Sequence, residues 1–198
     1  MLDDLSPIPT GFSGYRVLQT RSELDSLINL MLQERVFSYL EIGAHFGDTL
    51  HEVGVKLPSG SKLVGIDLPG ATAGGHTNSG ALLATACEDL ETNYEHESHF
   101  FLGNSLSKEA VEFAKQHAPY DIVFIDGSHE YDDVYKDWDH YGTLSRMVAF
   151  HDINKVGGKW NGGVRDLWNQ LKKTHRHVEF SARDDKRGIG VLWKNSQS

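Results

Sequence analysis

Cysteine is nearly absent: Cys87 is the single one in 198 residues, so no disulfide within the chain can staple the fold. Long apolar runs are absent as well. Nothing approaches the roughly 18 consecutive apolar residues of a membrane-spanning helix, so no membrane partner is expected. The opening Met1-Leu2-Asp3-Asp4 is acidic and lacks the basic and apolar regions of a secretory signal; the expected location is cytoplasmic. Positive charge is in the minority, with a formal net charge of −9. That balance argues against a protein that grips nucleic acid through its phosphates. Also missing is the dinucleotide fingerprint G-x-G-x-x-G.

What remains is the composition of an ordinary soluble domain, 39% hydrophobic and 24% charged. Residues 1–19 carry Pro7, Pro9, Gly11 and Gly14 without a period and read as an irregular arm. Residues 20–198 read as one domain, since no linker, repeat or low-complexity tract interrupts them. Charge is uneven. Seven acids and one base, Lys136, lie between Asp121 and Asp139, whereas Val164–Ser198 holds eight Lys or Arg against four acids. Two solvated faces explain this as well as an acidic, cation-holding pocket does.

From Thr20 onward, apolar periodicity alternates between two kinds. Thr20-Arg21-Ser22-Glu23 has the form of a capping box, and Leu24, Leu27, Ile28 and Met31 follow at helical spacing to about Glu34. Strands are expected at Val36–Ile42, Lys62–Asp67, His99–Leu102, Asp121–Ile125 and Met147–His151. Helices are expected at Thr49–Leu57, Ala81–Glu95, Ser107–His117, Tyr131–Leu144 and Val164–Lys173. Loops are expected at 69–80 and 154–163. A last pair, His177–Ser181 and Ile189–Lys194, flanks the Asp184–Gly188 turn. Alternating strands and helices imply a parallel sheet covered on both faces, and the closing pair implies an antiparallel edge strand.

In such a sheet, ligands bind beyond the carboxyl ends of the strands. After the first strand stands Glu41-Ile42-Gly43-Ala44-His45-Phe46-Gly47. Gly43 permits a tight turn and Gly47 lets the next helix pack on the strand. E-x-G-x-x-x-G suits a ligand without phosphates, whose amino and carboxylate ends meet an acid and open backbone amides. Asp67, after the second strand, could accept ribose hydroxyls; a helix cap or a solvated acid would look the same. Asn104 and Ser105, after the third, could reach an adenine edge or form a simple turn. After the fourth and fifth strands stand Asp126-Gly127-Ser128-His129 and His151-Asp152-Ile153-Asn154. If those strands are neighbours, Asp126 and Asp152 converge, with His151 or Asn154 beside them, as hard oxygen ligands for a divalent cation such as Mg or Mn. His129 is then placed to act as a base.

The ordered set "FIDGSHEYDDVYKDWDHY", "MVAFHDI" and "GVRDLWNQL" resembles the Rossmann-like class I S-adenosylmethionine-dependent methyltransferases, over essentially residues 20–194. More narrowly it is similar to the branch containing macrocin O-methyltransferase and related bacterial sugar O-methyltransferases; catechol O-methyltransferase is a more distant relative of similar layout. The resemblance implies a seven-stranded, mostly parallel sheet with one antiparallel edge strand. It implies that Glu41, Gly43, Gly47, Asp67, Asn104, Ser105 and Asp126 bind the cofactor. It further implies that Asp126 and Asp152 bind metal and that His129 removes the proton of a small hydroxylated acceptor. Where the metal-dependent members carry an acid before the second aspartate, this chain has His151. Imidazole suits Mg²⁺ poorly and Mn²⁺, Fe²⁺ or Zn²⁺ better, so the metal differs, or His151 is no ligand, or there is no metal. Trp160 and Asn161, with the arm, are expected to meet the substrate, and such an arm leaves a homodimer open. An NAD-dependent oxidoreductase, a scaffold domain with a retained adenosyl site and an RNA methyltransferase are the rival readings.

Overall fold

A computed structural model describes residues 12–14, 19–68, 70, 79–155, 162–182 and 187–194. Most of the N-terminal arm, most of the 69–80 loop, the segment with Trp160 and Asn161, and residues 183–186 of the last turn lie outside these.

The elements follow in the order α1 (Arg21–Gln33), β1 (Ser38–Ile42), α2 (Asp48–Gly54), β2 (Lys62–Asp67), α3 (Ser79–Tyr94), β3 (Glu97–Leu102) and α4 (Lys108–Gln116). Then come β4 (Tyr120–Ile125), α5 (Tyr131–Tyr141), a 3-10 turn (Gly142–Leu144), β5 (Ser145–His151), α6 (Gly163–Leu171), β6 (Arg176–Phe180) and β7 (Ile189–Trp193). The seven strands form one sheet in the order β3-β2-β1-β4-β5-β7-β6. β1 pairs in parallel with both β2 and β4, so strand order reverses between β1 and β4. The hairpin expected at the sheet's end is present, with one refinement. β7 runs antiparallel to both β5 and β6, which places the reversed strand second from the edge and β6 outside it.

The period-2 alternation of the strands feeds two cores. Ile122, Phe124, Met147 and Ala149 point to the face packed by Leu24, Leu27 and Met31 of α1, Leu50 of α2, and Leu83 and Leu90 of α3. Val123, Ile125, Val148 and Phe150 point to the opposite face, packed by Ala110 and Ala114 of α4, Val134 and Tyr141 of α5, and Leu167 and Trp168 of α6. All of these side chains are nearly inaccessible. β4, buried on both faces, therefore reads as a continuous apolar run, as parallel strands do.

Local signals held unevenly. Ser107 caps α4 by accepting the Ala110 amide at 3.2 Å. Thr20 occupies the cap of α1, yet its side chain makes no capping bond there. Glu23, the far member of the expected capping box, instead accepts the Ala182 amide at 2.9 Å. A tertiary partner has displaced the local one. Among the described residues, no helix is long and apolar enough to cross a membrane.

Candidate active site

The β1–α2 turn fixes the floor of the cleft. Gly43 has φ +88°, and a Cβ there would sit 2.3 Å from the Asp126 carbonyl oxygen. Only glycine lets this turn cross the end of β4 so closely. Gly47, at the head of α2 with φ +81°, would bring a Cβ to 2.8 Å from that of Ala86. The amides of this turn are not open, as the sequence pattern suggested. Gly43 and Ala44 donate to the Ile66 carbonyl, Gly47 donates to Ala44, and His45 donates to Asp67 Oδ1 at 2.9 Å. They serve to lock the turn onto the end of β2.

Two acids flank that turn. Glu41 is buried, and its Oε2 has no hydrogen-bond partner. Burial first, then the negative charge of Asp126, pushes its carboxyl well above the usual carboxylate range. Asp67, at the end of β2, is also raised by burial, against the lowering effect of the His45 amide. Beyond β3, Asn104 Oδ1 accepts the Leu106 amide at 2.8 Å in an Asx turn, and the Ser105 carbonyl accepts the Tyr141 hydroxyl. Both residues line the cleft while shaping its wall.

The β4 and β5 ends are built differently. Asp126 Oδ1 accepts His151 Nδ1 at 2.9 Å. Asp126 Oδ2 accepts the Gln19 amide at 2.7 Å, and Gln19 in turn accepts the Thr49 hydroxyl at 2.8 Å. His129 Nε2 lies 2.6 Å from Asp152 Oδ2, which also receives Lys155 Nζ at 3.1 Å. Burial opposes ionisation of Asp152, but the His129 hydrogen bond and the charges of His151 and Lys155 prevail and hold it well below the usual range. Burial likewise pulls His151 down, and the Asp126 charge and hydrogen bond outweigh it, raising the imidazole to about 8. Asp152 keeps φ +62° without being glycine, the kind of backbone strain that clusters at working sites.

The expected metal set changes in membership. The ligand atoms that converge, all within 4.8 Å of one another, belong to Asp126, His129 and Asp152. His151 stands behind Asp126 as its hydrogen-bond donor and not among them. Nor does the converging set fit a hard cation as it stands. The carboxylate oxygens of Asp126 already accept from Gln19 and His151, and Asp152 Oδ2 is already compensated by an imidazole and an ammonium. Gln19 and Lys155 had no signal in the sequence, because one sits in the aperiodic arm and the other in a loop. Asp137, on α5, had no signal in the sequence either: it is fully buried, and burial pushes its carboxyl up to about 7 against the lowering effect of the Ser105 side chain.

These parts surround one cavity of about 760 Å³, lined from the ends of β1, β2, β3, β4 and β5. That volume is in the range of small-molecule sites. Residues 40–153, which include all the strand ends just described, match the family model described as a methyltransferase domain. The chain belongs to this methyltransferase family. The solved structures similar to this methyltransferase share its fold. An O-methyltransferase from Bacillus cereus, in complex with SAH, aligns with TM-score 0.66 at 15% identity, over 89% of this chain and 82% of that one. The O-methyltransferase of tomaymycin synthesis from Streptomyces achromogenes, in complex with SAM, gives 0.64 at 18%, over 89% and 81%. A TDP-rhamnose 3′-O-methyltransferase of calicheamicin biosynthesis gives 0.61 at 16%, over 87% and 79%. No curated protein sequence matches this one.

Proposed function

We propose that this methyltransferase moves the methyl group of S-adenosylmethionine onto a hydroxyl of a small acceptor, of sugar or natural-product type, with His129 as general base. The observation that carries the reading is the His129–Asp152 pair, 2.6 Å apart, at the rim of the same cavity that holds Glu41 and Asp67. The SAM and SAH complexes of the fold neighbours support the choice of cofactor.

The residues present fit that cofactor. Glu41 offers a buried, unpartnered carboxylate oxygen to an ammonium. Asp67, which lines the cleft and holds the His45 amide through Oδ1, is placed to meet ribose hydroxyls. Asn104 and Ser105 form the wall beside the adenine, and the Gly43 turn lets the ligand lie against the backbone. Asp126 closes the floor between the two halves. When bound, the cofactor supplies an already activated sulfonium methyl, so the protein's tasks are alignment and deprotonation.

Asp152 accepts from His129 Nε2 and so fixes the orientation of the ring. With the cofactor supplying the methyl and leaving as S-adenosylhomocysteine, the His129 imidazole would take the proton of the acceptor hydroxyl as its oxygen is methylated. Asp152 then stabilises the imidazolium, the role an aspartate plays behind any catalytic histidine. His151 Nε2 and Asp152 Oδ1 are buried without partners, and a second polar group of the acceptor would satisfy them. No step is routed through a metal, because both Asp126 oxygens and Asp152 Oδ2 already have donors.

The test is calorimetric titration with S-adenosylhomocysteine, with and without Mg²⁺ or Mn²⁺, and with NAD as comparator. Micromolar binding of the adenosyl ligand, none of NAD, and methylation of a sugar or phenol in an acceptor screen are expected. Absence of adenosyl binding under every condition removes this reading in favour of a non-catalytic domain.

A further inference from the structure

We infer that the chain carries a second ligand site, for a divalent transition-metal ion of the Zn²⁺, Ni²⁺ or Co²⁺ type, formed by Glu97, His99 and His117. Glu97 and His99 stand two residues apart on β3, so their side chains share a face. His117 is the residue that closes α4. Folding brings it onto that same face, with the His99 and His117 rings 4.1 Å apart between centroids and tilted by 31°. Glu97 Oε1 lies 3.0 Å from His99 Nε2. One ligand atom from each of the three residues falls within 4.8 Å of the others, and side-chain rotation alone separates this from coordination distances of about 2.0–2.2 Å.

The donor chemistry selects the ion. Two imidazoles and one carboxylate suit borderline divalent ions, and Mg²⁺ and Ca²⁺ poorly. Three protein ligands leave a fourth position for water. Lys62 stands opposite Glu97 in the sheet register, but its ammonium is turned to the backbone. It donates to the His117 carbonyl and to that of Pro119 at 3.3 Å, and it lies 5.3 Å above the Tyr120 ring. That contact anchors the His117 backbone and leaves its imidazole for the cluster.

The site is independent of the cleft. It sits at the amino end of β3 and the carboxyl end of α4, whereas the cleft opens beyond the carboxyl ends of the strands. A bound ion would tie α4 to β3, one of the two edge strands of the sheet, and stabilise the folded chain by mass action.

Equilibrium dialysis of the full chain at low micromolar free Zn²⁺, paired with thermal unfolding, tests this. The expected result is that His99→Ala combined with His117→Ala lowers bound zinc by one ion per chain and removes the zinc-dependent rise in Tm. Glu97→Gln weakens the same event, Asp126→Asn leaves it in place, and Mg²⁺ does not compete. All three ligands are at least partly exposed, so these variants are expected to fold. Unchanged zinc stoichiometry and an unchanged Tm rise in the double variant would overturn the inference, as would a wild-type chain that binds no zinc.

Discussion

The two halves of the cleft solve opposite problems with the same residue types. On the β1–β2 side, Glu41 and Asp67 are buried acids that burial has made reluctant to ionise, and Glu41 keeps one oxygen unpartnered. On the β4–β5 side, Asp126 and Asp152 are wrapped by Gln19, His151, His129 and Lys155, and Asp152 is driven far toward its ionised form. In the first half Glu41 keeps an oxygen without a hydrogen-bond partner, a place for a positive group of a ligand. The other half supplies its own donors and cations from His129, His151 and Lys155. A desolvated acid without a cation costs stability unless something binds it, so the first half is where a charged cofactor gains most.

That contrast can be broken at several points. The largest effect is expected in the β4–β5 half: with His129 as the proposed base, His129→Ala should lower turnover by about 10²–10⁴-fold while adenosyl binding stays nearly intact, read by steady-state kinetics beside calorimetry. Next comes the place where the halves touch. Gly43→Ala forces a Cβ toward the Asp126 carbonyl at 2.3 Å in a positive-φ turn. It should cost about 2–3 kcal/mol and lower Tm by roughly 5–10 °C, measured by thermal denaturation.

The β1–β2 half should answer to Asp67→Ala with adenosyl affinity about 10–100-fold weaker, the value of a hydrogen bond or two, together with a lower Tm because the His45 amide loses its acceptor. The smallest effect is a pH dependence. His151 is raised in the folded chain from 6.5 to about 8, so the stability it contributes is complete below pH 6.5 and is lost as pH rises through about 8. Urea unfolding across that window should show a fall on the order of 1–2 kcal/mol, and His151→Gln should flatten it.

Much of this was legible because in an α/β sheet the residue after each strand is a site position by geometry alone. Glu41, Asp67, Asp126 and Asp152 could be found by locating strand ends, and apolar runs mark those well. Pairings across the sheet could not. Whether His129 or His151 faces Asp152 depends on a backbone twist at Asp152, where φ turns positive, and no periodicity encodes that. Gln19 reaches Asp126 across 107 positions of sequence from an arm without pattern. The capping-box residue Glu23 was claimed by Ala182, 159 positions away. The cluster of Glu97, His99 and His117 stayed hidden for the same reason: it needs the end of α4 to fold onto β3. Local chemistry was readable, while contacts between distant segments awaited the register of the fold.

The division of labour between the two halves is tested most directly by one side-by-side titration of S-adenosylhomocysteine into the wild-type chain, Asp67→Ala and His129→Ala. The expected result is micromolar binding to wild type, about 10–100-fold weaker binding to Asp67→Ala, and binding to His129→Ala within about twofold of wild type, a difference well under 1 kcal/mol. Equal losses in both variants, or none in Asp67→Ala, would contradict it.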